Sequence, residues 1–454
     1  MSMVSINPAT GQRLHIYGPH TSLQVAAALK RAHAAFQGWR ETAPAFRARH
    51  LRNLARALRA QRDDLASLIT AEVGKPITQA RAEVAKCAMV CDYYAKHGAA
   101  YLAPEHPPGA PRSARVVHEP LGPILAIMPW NFPMWQVFRA AAPALMAGNP
   151  LVLKHASNVS GCALAIAQVC TDAGLPGGLL QTLLVRSTEI PAIIADPRIR
   201  GVTLTGSTEA GRQVAALAGA ALKPCVFELG GSDPYVVLAD ADLDRAAEVC
   251  AASRLVNSGQ SCVSAKRFVV VAAVRRDFEK RLVARMAARR LGDPADPAAE
   301  VGPLARHDLR DELHRQVRLS VRMGARILLG GKPAAGPGWF YPPTVLTNVK
   351  PGMPAYDQEL FGPVAAIIPV ADEAEAIAVA NDTVYGLGAA VFTRDRRRGR
   401  EVAAQLEAGM VFVNDFVRSD PTLPFGGIKE SGYGRELGLL GIRAFVNIKT
   451  LWVA

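Results

Sequence analysis

The sequence predicts an α/β protein of two domains, each built around a parallel sheet, and three observations predict it. At 454 residues the chain has room for two or three domains. Short apolar runs, "ILAIMPW" (124–130), "PLVLKHA" (150–156), "LLQTLLV" (179–185) and "GVTLT" (201–205), alternate with helix-like stretches such as "SGCALAIAQVCTDAGL". Strands joined by helices lie parallel, with ligands at their carboxyl ends. A second series beginning near "CVFELGG" and reaching "GMVFVND" (409–415) predicts the second domain.

From Ala45 to Val73 apolar residues recur at helical spacing among arginines, and "GKP" supplies the stop, which predicts one long amphipathic helix. Residues 102–123, rich in Pro and Gly, read as an extended excursion. "LTGSTEAG" (204–211) follows a strand and opens a helix, so its free N–H groups suit a phosphate. A plain strand-to-helix turn would give the same string. It is not a Walker A loop, because Arg212 and Gln213 stand where Lys and Ser/Thr are required. No Gly-x-Gly-x-x-Gly follows a strand, and no internal repeat is evident.

The chain is 50% hydrophobic and 6% aromatic, as a soluble enzyme is, and no apolar run is long enough for a membrane span. The opening lacks a secretory pattern, so a cytoplasmic setting without membrane contact is expected. Seven scattered cysteines make no disulfide framework. Cys87 and Cys91 can share a helix face, but no second pair follows at zinc spacing, so they read as core thiols and no metal is expected. A net charge of +13 would suit a polyanion partner. The basic runs "RDRRRGR" (394–400) and "RMAARRL" (285–291) are short and lack interleaved aromatics, so they read as solvated helix faces rather than a nucleic-acid surface.

The chemistry gathers at three places. Cys262 ends "NSGQSC", among Ser, Gly and Gln, unlike Cys250 in apolar "AAEVCAAS". A thiol beside a glycine turn and open N–H groups can be held as a thiolate and can stabilise an oxyanion. Glu228 in "FELGG" sits among apolar residues that raise a carboxylate's pKa toward that of a general base, although a salt-bridged structural Glu gives the same string. Asn131 in "PWNFP" is an amide donor on a rigid mount, or a turn residue capping its own backbone. Together they serve one reaction. Cys262 attacks an aldehyde, Asn131 and the Cys262 N–H hold the oxyanion, hydride leaves for a nicotinamide, and Glu228 activates the water that hydrolyses the thioester.

The order "PWNFP", "LTGSTEAG", "FELGG", "GQSC", "ELFGPV", "PFGGIKESGYGRE" resembles the NAD(P)-dependent aldehyde dehydrogenase family over nearly the whole chain. The resemblance implies that family's fold, two α/β domains plus a small β oligomerisation arm. The cofactor domain would comprise 1–101 and 123–229, the catalytic domain 230–435, and the arm 102–122 and 436–454, with "KTLWV" (449–453) beside "ARVVHEPLGP" (114–123). It implies a homodimer or homotetramer. It also implies Cys262, Glu228 and Asn131 as catalytic residues. Trp130 and Lys154 would lie on the adenosine side, Gly206 and Ser207 at the pyrophosphate, Glu359 and Phe361 near the nicotinamide, and Leu229 also at the cofactor.

Where NAD-specific members often place Glu, three residues beyond Lys154, this chain has Ser157, so NADP+ is expected to be preferred, with NAD+ possible. Glu228 separates the chain from the thioester-transferring branch that hands the acyl group to CoA, and "GSTEAG" with "ELFGPV" separates it from a Cys/Glu hydrolase. A catalytically silent relative would not need all three catalytic residues. Ser264 stands where some members carry a second, switching cysteine, so no local disulfide switch is expected.

The substrate expectation also comes from the resemblance. Arg139 in "MWQVFRAAAP" and Ser419 in "VRSDPTLPFGG" match bacterial members acting on succinate semialdehyde, where they hold the distal carboxylate. A second Arg of some members is replaced by Val256, with Arg254 and Arg418 as candidates to compensate. Glutarate semialdehyde and general short-chain aldehydes are the alternatives, because one methylene is worth only about 1–3 kcal/mol in a pocket.

Overall fold

The computed structural model describes residues 2–453. Five parallel strands make the first sheet: β1 (Ile124–Met128), β2 (Leu151–His155), β3 (Leu180–Thr182), β4 (Gly201–Thr205) and β5 (Cys225–Glu228), in the order β3-β2-β1-β4-β5. Their apolar residues are buried on both faces, as a sheet covered by crossover helices requires. One face packs on helices α1 (Ile77–Tyr101) and α2 (Trp135–Ala147), the other on helices including α3 (Thr208–Ala220).

Cys225–Glu228 was expected to open the second series, but it closes the first sheet, pairing with β4 from Val202↔Cys225 to Thr205↔Glu228. The reason lies just beyond it. Gly230 and Gly231 carry the chain between sheets where a Cβ would fall 2.9 Å from the Glu359 carboxylate and 2.7 Å from the Cys262 carbonyl. The second sheet starts at β6 (Pro234–Val237) and adds β7 (Arg267–Val271), β8 (Arg326–Leu329), β9 (Thr344–Thr347), β10 (Val364–Val370), β11 (Gly388–Phe392) and β12 (Met410–Val413). Its order is β8-β9-β10-β7-β6-β11-β12, with β8 alone antiparallel.

The stretch 45–73 is two helices, Pro44–Ala60 and Arg62–Val73, rather than one. Gln61 leaves helical geometry (φ −99°, ψ 14°), and the break turns Leu65, Ala66, Ile69 and Val73 onto the core. Gly74, left-handed at φ +76°, ends the second helix as "GKP" suggested. The excursion 102–123 holds a strand, Ala114–Pro120, which pairs antiparallel with Val446–Trp452. Its Pro and Gly residues cluster ahead of Ala114, leaving the β-branched "ARVV" free to pair. Among the described residues no helix is long and apolar enough to cross a membrane. The arginine-rich helices are solvent-facing, with pairs such as Arg397–Glu401 and Arg398–Glu373.

Glu83 on α1 fixes the start of α2. Its carboxylate accepts from the N–H groups of Met134 (2.9 Å) and Trp135 (3.0 Å) and pairs with buried Lys75. Removing one partner of a buried pair strands the other charge. Glu83→Ala should therefore cost about 3–5 kcal/mol in denaturant unfolding, and a loss below about 1 kcal/mol would show that Lys75 finds another partner.

Candidate active site

Helix α4 (Leu243–Leu255) delivers the chain to the loop bearing Cys262. Asn257, Ser258 and Gly259 have successive φ values of +51°, +55° and +78°. Residues with side chains rarely enter this region, so the turn must be held from outside. Asn257 Nδ2 donates to the Asn131 carbonyl (2.7 Å), Ser258 Oγ accepts from the Gly302 N–H (2.9 Å), and Gln260 Oε1 accepts from the Ala305 N–H (2.9 Å). At Gly259 a Cβ would lie 2.3 Å from the Gly362 carbonyl. Beneath the loop, Lys266 Nζ donates to the carbonyls of Ser261 (3.0 Å) and Cys262 (2.7 Å) and pairs with Glu359 at 3.2 Å.

This loop sets Cys262 at the junction of two cavities of about 370 and 340 Å³, both of which it lines. The first brings together Trp130, Asn131, Gly206, Ser207, Leu229, Glu359 and Phe361. Trp130 and Phe361 meet edge-on with centroids 5.8 Å apart, and Ser207 caps α3, its Oγ accepting from the Ala210 N–H (3.3 Å). Lys154 and Ser157 lie outside this cavity, at and just beyond the carboxyl end of β2 beside β1. Lys154 has no carboxylate partner among the described residues, and burial lowers its pKa, while Ser157 is exposed. An unpaired cation and a hydroxyl at a strand end fit a nucleotide with a 2′-phosphate.

Asn131 Nδ2 spends one N–H on the Gln260 carbonyl (3.0 Å), while Gln136 Nε2 donates to its Oδ1 (3.0 Å) and fixes the amide's sense. The Cys262 N–H donates to no protein acceptor among the described residues. Asn131 and Cys262 both line the first cavity, so each brings a donor to its wall. The thiol is not held as a thiolate. Burial pushes it up to about 12, against the pull of Lys266 and Arg139.

The second cavity is a tunnel to Cys262 lined by Arg139, Ser419, Val256, Lys86, Arg418 and Phe425, among others. Arg139 is buried, pairs with Glu436, donates to Thr205 Oγ1 (3.0 Å) and sits 4.6 Å over the Phe425 ring. Arg254 does not reach the tunnel. It is fully buried and donates to the Gly259 carbonyl. Arg418 reaches it but pairs with Asp415 at 2.7 Å. Ser419 Oγ accepts from Lys86 Nζ at 2.7 Å.

Glu228 lines neither cavity. Its carboxyl is buried without a hydrogen-bond partner, and burial with the neighbouring Glu436 raises its pKa far above the carboxylate range, against Arg139 and Arg435. Sequence reasoning missed Glu436, Lys266 and Lys86. Glu436 ends the quoted string "PFGGIKESGYGRE", Lys266 stands four residues beyond Cys262, and Lys86 is a lysine on an otherwise buried stripe of α1.

A thiol between a nucleotide-shaped cleft and a substrate tunnel matches what the comparisons find. The family model for the aldehyde dehydrogenase family matches residues 1–451. The chain belongs to the aldehyde dehydrogenase family. This aldehyde dehydrogenase is 51% identical to the NAD(P)+ succinate semialdehyde dehydrogenase Sad of Escherichia coli, over 99% of this chain and 97% of that one. It is 49% identical to the NADP+ succinate-semialdehyde dehydrogenase 1 of Mycobacterium tuberculosis, over 100% of both. Among solved structures, the succinic semialdehyde dehydrogenase of Streptococcus pyogenes in complex with NADP+ superposes with a TM-score of 0.97 at 39% identity, over 99% of each chain.

The raised thiol of this dehydrogenase has a measurable consequence. Iodoacetamide should alkylate Cys262 in the cofactor-free enzyme more slowly at pH 8 than a free cysteine of pKa about 8.5, with a rate still climbing above pH 9. A plateau near pH 7 would contradict this. Gly259→Ala should abolish activity by moving the loop off the Gly362 carbonyl, and wild-type kcat in that variant would contradict the constraint.

Proposed function

We propose that the protein oxidises succinate semialdehyde to the dicarboxylic acid with NADP+, and less well with NAD+. The observation that carries this is the tunnel to Cys262, which Arg139, Lys86 and Ser419 line together with the apolar Phe132, Trp135, Val256, Phe416 and Phe425. Full-length relatives bearing that activity in their names support it.

When bound, NADP+ supplies the hydride acceptor; the residues fitted to hold it are Trp130, Lys154, Ser157, Gly206, Ser207, Leu229, Glu359 and Phe361. Cys262 loses its proton to solvent in the adjoining cavities and adds through sulfur to the aldehyde carbon, and Asn131 Nδ2 with the Cys262 N–H receives the oxyanion. Oxidation leaves a thioester on Cys262. Glu228, its own proton released to solvent as the side chain turns from the Glu436–Arg139 pocket toward the thiol, then takes a proton from the water that cleaves the thioester. Arg139 and Ser419 face the distal carboxylate. Because Arg139 also tempers Glu228 and Glu436, Arg139→Ala should slow every aldehyde, with the semialdehydes slowed most.

We assign cofactor binding to 1–101 and 123–229, catalysis to 230–435 and assembly to 102–122 and 436–454. Exposed Ile448, Trp452 and Val453 on the ribbon support a homodimer or homotetramer, since a two-stranded ribbon is marginal alone. Cysteines that are all unpaired are in keeping with a cytoplasmic setting.

Steady-state assays test the reading. The kcat/KM for succinate semialdehyde should exceed that for butanal, and NADP+ should outperform NAD+. Ser157→Glu should shift the cofactor ratio toward NAD+ by about 1–3 kcal/mol. Equal kcat/KM for the two aldehydes would remove the substrate assignment, and a strong NAD+ preference the cofactor assignment. Sedimentation should find no stable monomer, and a monomer at micromolar protein would refute the assembly.

A further inference from the structure

We propose that Lys86, with the Ser419 hydroxyl, is a second group that receives the substrate's distal carboxylate, in place of the arginine that Val256 does not supply. This rests on the semialdehyde reading above and names the residue that enforces it.

Among the described residues three cations line the tunnel, Arg139, Arg418 and Lys86, and two of them are committed. Arg254 is buried behind the wall on the Gly259 carbonyl. Arg418 holds Asp415, and its guanidinium sits over Phe416, 5.1 Å from the ring centroid. Arg139 shares its charge with Glu436. Lys86 has no carboxylate within ion-pair distance among the described residues. Its two nearest acids are occupied: Glu83 by Lys75 and the start of α2, Asp420 by the Thr422 N–H (2.8 Å) and hydroxyl (2.6 Å).

Yet the ammonium is placed with care. It donates to Ser419 Oγ at 2.7 Å and lies 4.3 Å over the Trp135 ring, beside Val256 in the tunnel lining. An ammonium has three donors and this one spends a single hydrogen bond on Ser419, so two remain for an incoming anion. The Ser419 hydroxyl, accepting from Lys86, has its own proton to give the same carboxylate. Charge-assisted bonds of this kind strengthen where water is excluded.

The free enzyme carries the mark of an unmet cation. Burial first and Arg139 second lower Lys86 to about 8, against the opposing pull of Cys87 and Glu83 on its own helix and of Asp420. The protonated form is therefore lost as pH rises through about 8. A bound carboxylate would restore it.

The test compares the ratio of kcat/KM for succinate semialdehyde to that for butanal in wild type, Lys86→Met, Lys86→Arg and Ser419→Ala. Lys86→Met should lower the ratio about 30-fold or more, chiefly through KM for the semialdehyde, and Lys86→Arg should recover part of it. The wild-type ratio should fall as pH rises through about 8, a dependence absent from Lys86→Met. The two aldehydes share thiol and base, so those titrations cancel in the ratio. A Lys86→Met ratio within about twofold of wild type, or a pH-independent wild-type ratio, overturns the proposal while leaving the substrate assignment standing. A wild type without preference for the semialdehyde overturns both. Should Lys86→Met not fold, the wild-type pH profile and Ser419→Ala decide the matter, the latter expected to lower the ratio and overturning the proposal if it does not.

Discussion

The active site depends on a backbone turn that the chain adopts at a cost. Asn257, Ser258 and Gly259 in left-handed geometry lift Cys262 out of the run of α4 and place it where two cavities meet. Such a turn persists only if its surroundings over-determine it. Asn131 is bonded to both ends of the loop, through its carbonyl to Asn257 and through its amide to the Gln260 carbonyl. Asn131 and the Cys262 loop are thus fixed by the same bonds, and Lys266 ties the loop to Glu359 in the lining of the first cavity.

A second constraint is electrostatic. Glu228, Glu436 and Arg139 share one dry pocket, where two carboxyls and one guanidinium cannot all be satisfied. Burial raises both acids, and repulsion from Glu436 adds to the rise at Glu228, which lines neither cavity. The thiol is itself raised by burial, which keeps it protonated in the free enzyme. Thiol and carboxyl are thus both shifted toward their protonated forms.

Much of this was legible in the sequence, for reasons that can be stated residue by residue. The parallel strands of the first sheet read directly from apolar runs, because strands buried on both faces leave no polar alternation. Cys262 and Asn131 stood out because Gly and Pro flank them, whereas the other residues lining the first cavity were named from the family resemblance. The break at Gln61 was not, since no Gly or Pro announces it and the apolar period continues on either side. The placement of Cys225–Glu228 was missed because parallel order is decided by pairing across the sheet, not by position in the chain. Lys86 was invisible for another reason: it lies more than 330 residues from Ser419, and only the fold brings the two together. The pairing of Arg139 with Glu436 was hidden in the same way.

The central claim is that the thiol alone carries acylation and oxidation, while Glu228 acts afterwards on the thioester. Rapid-mixing measurement of reduced cofactor with Cys262→Ala and Glu228→Gln tests it most directly. The account predicts no signal from Cys262→Ala and, from Glu228→Gln, a burst of about one equivalent per active site that then stops as the acyl-enzyme accumulates. Loss of the burst in both variants would contradict it, making Glu228 the base that activates the thiol.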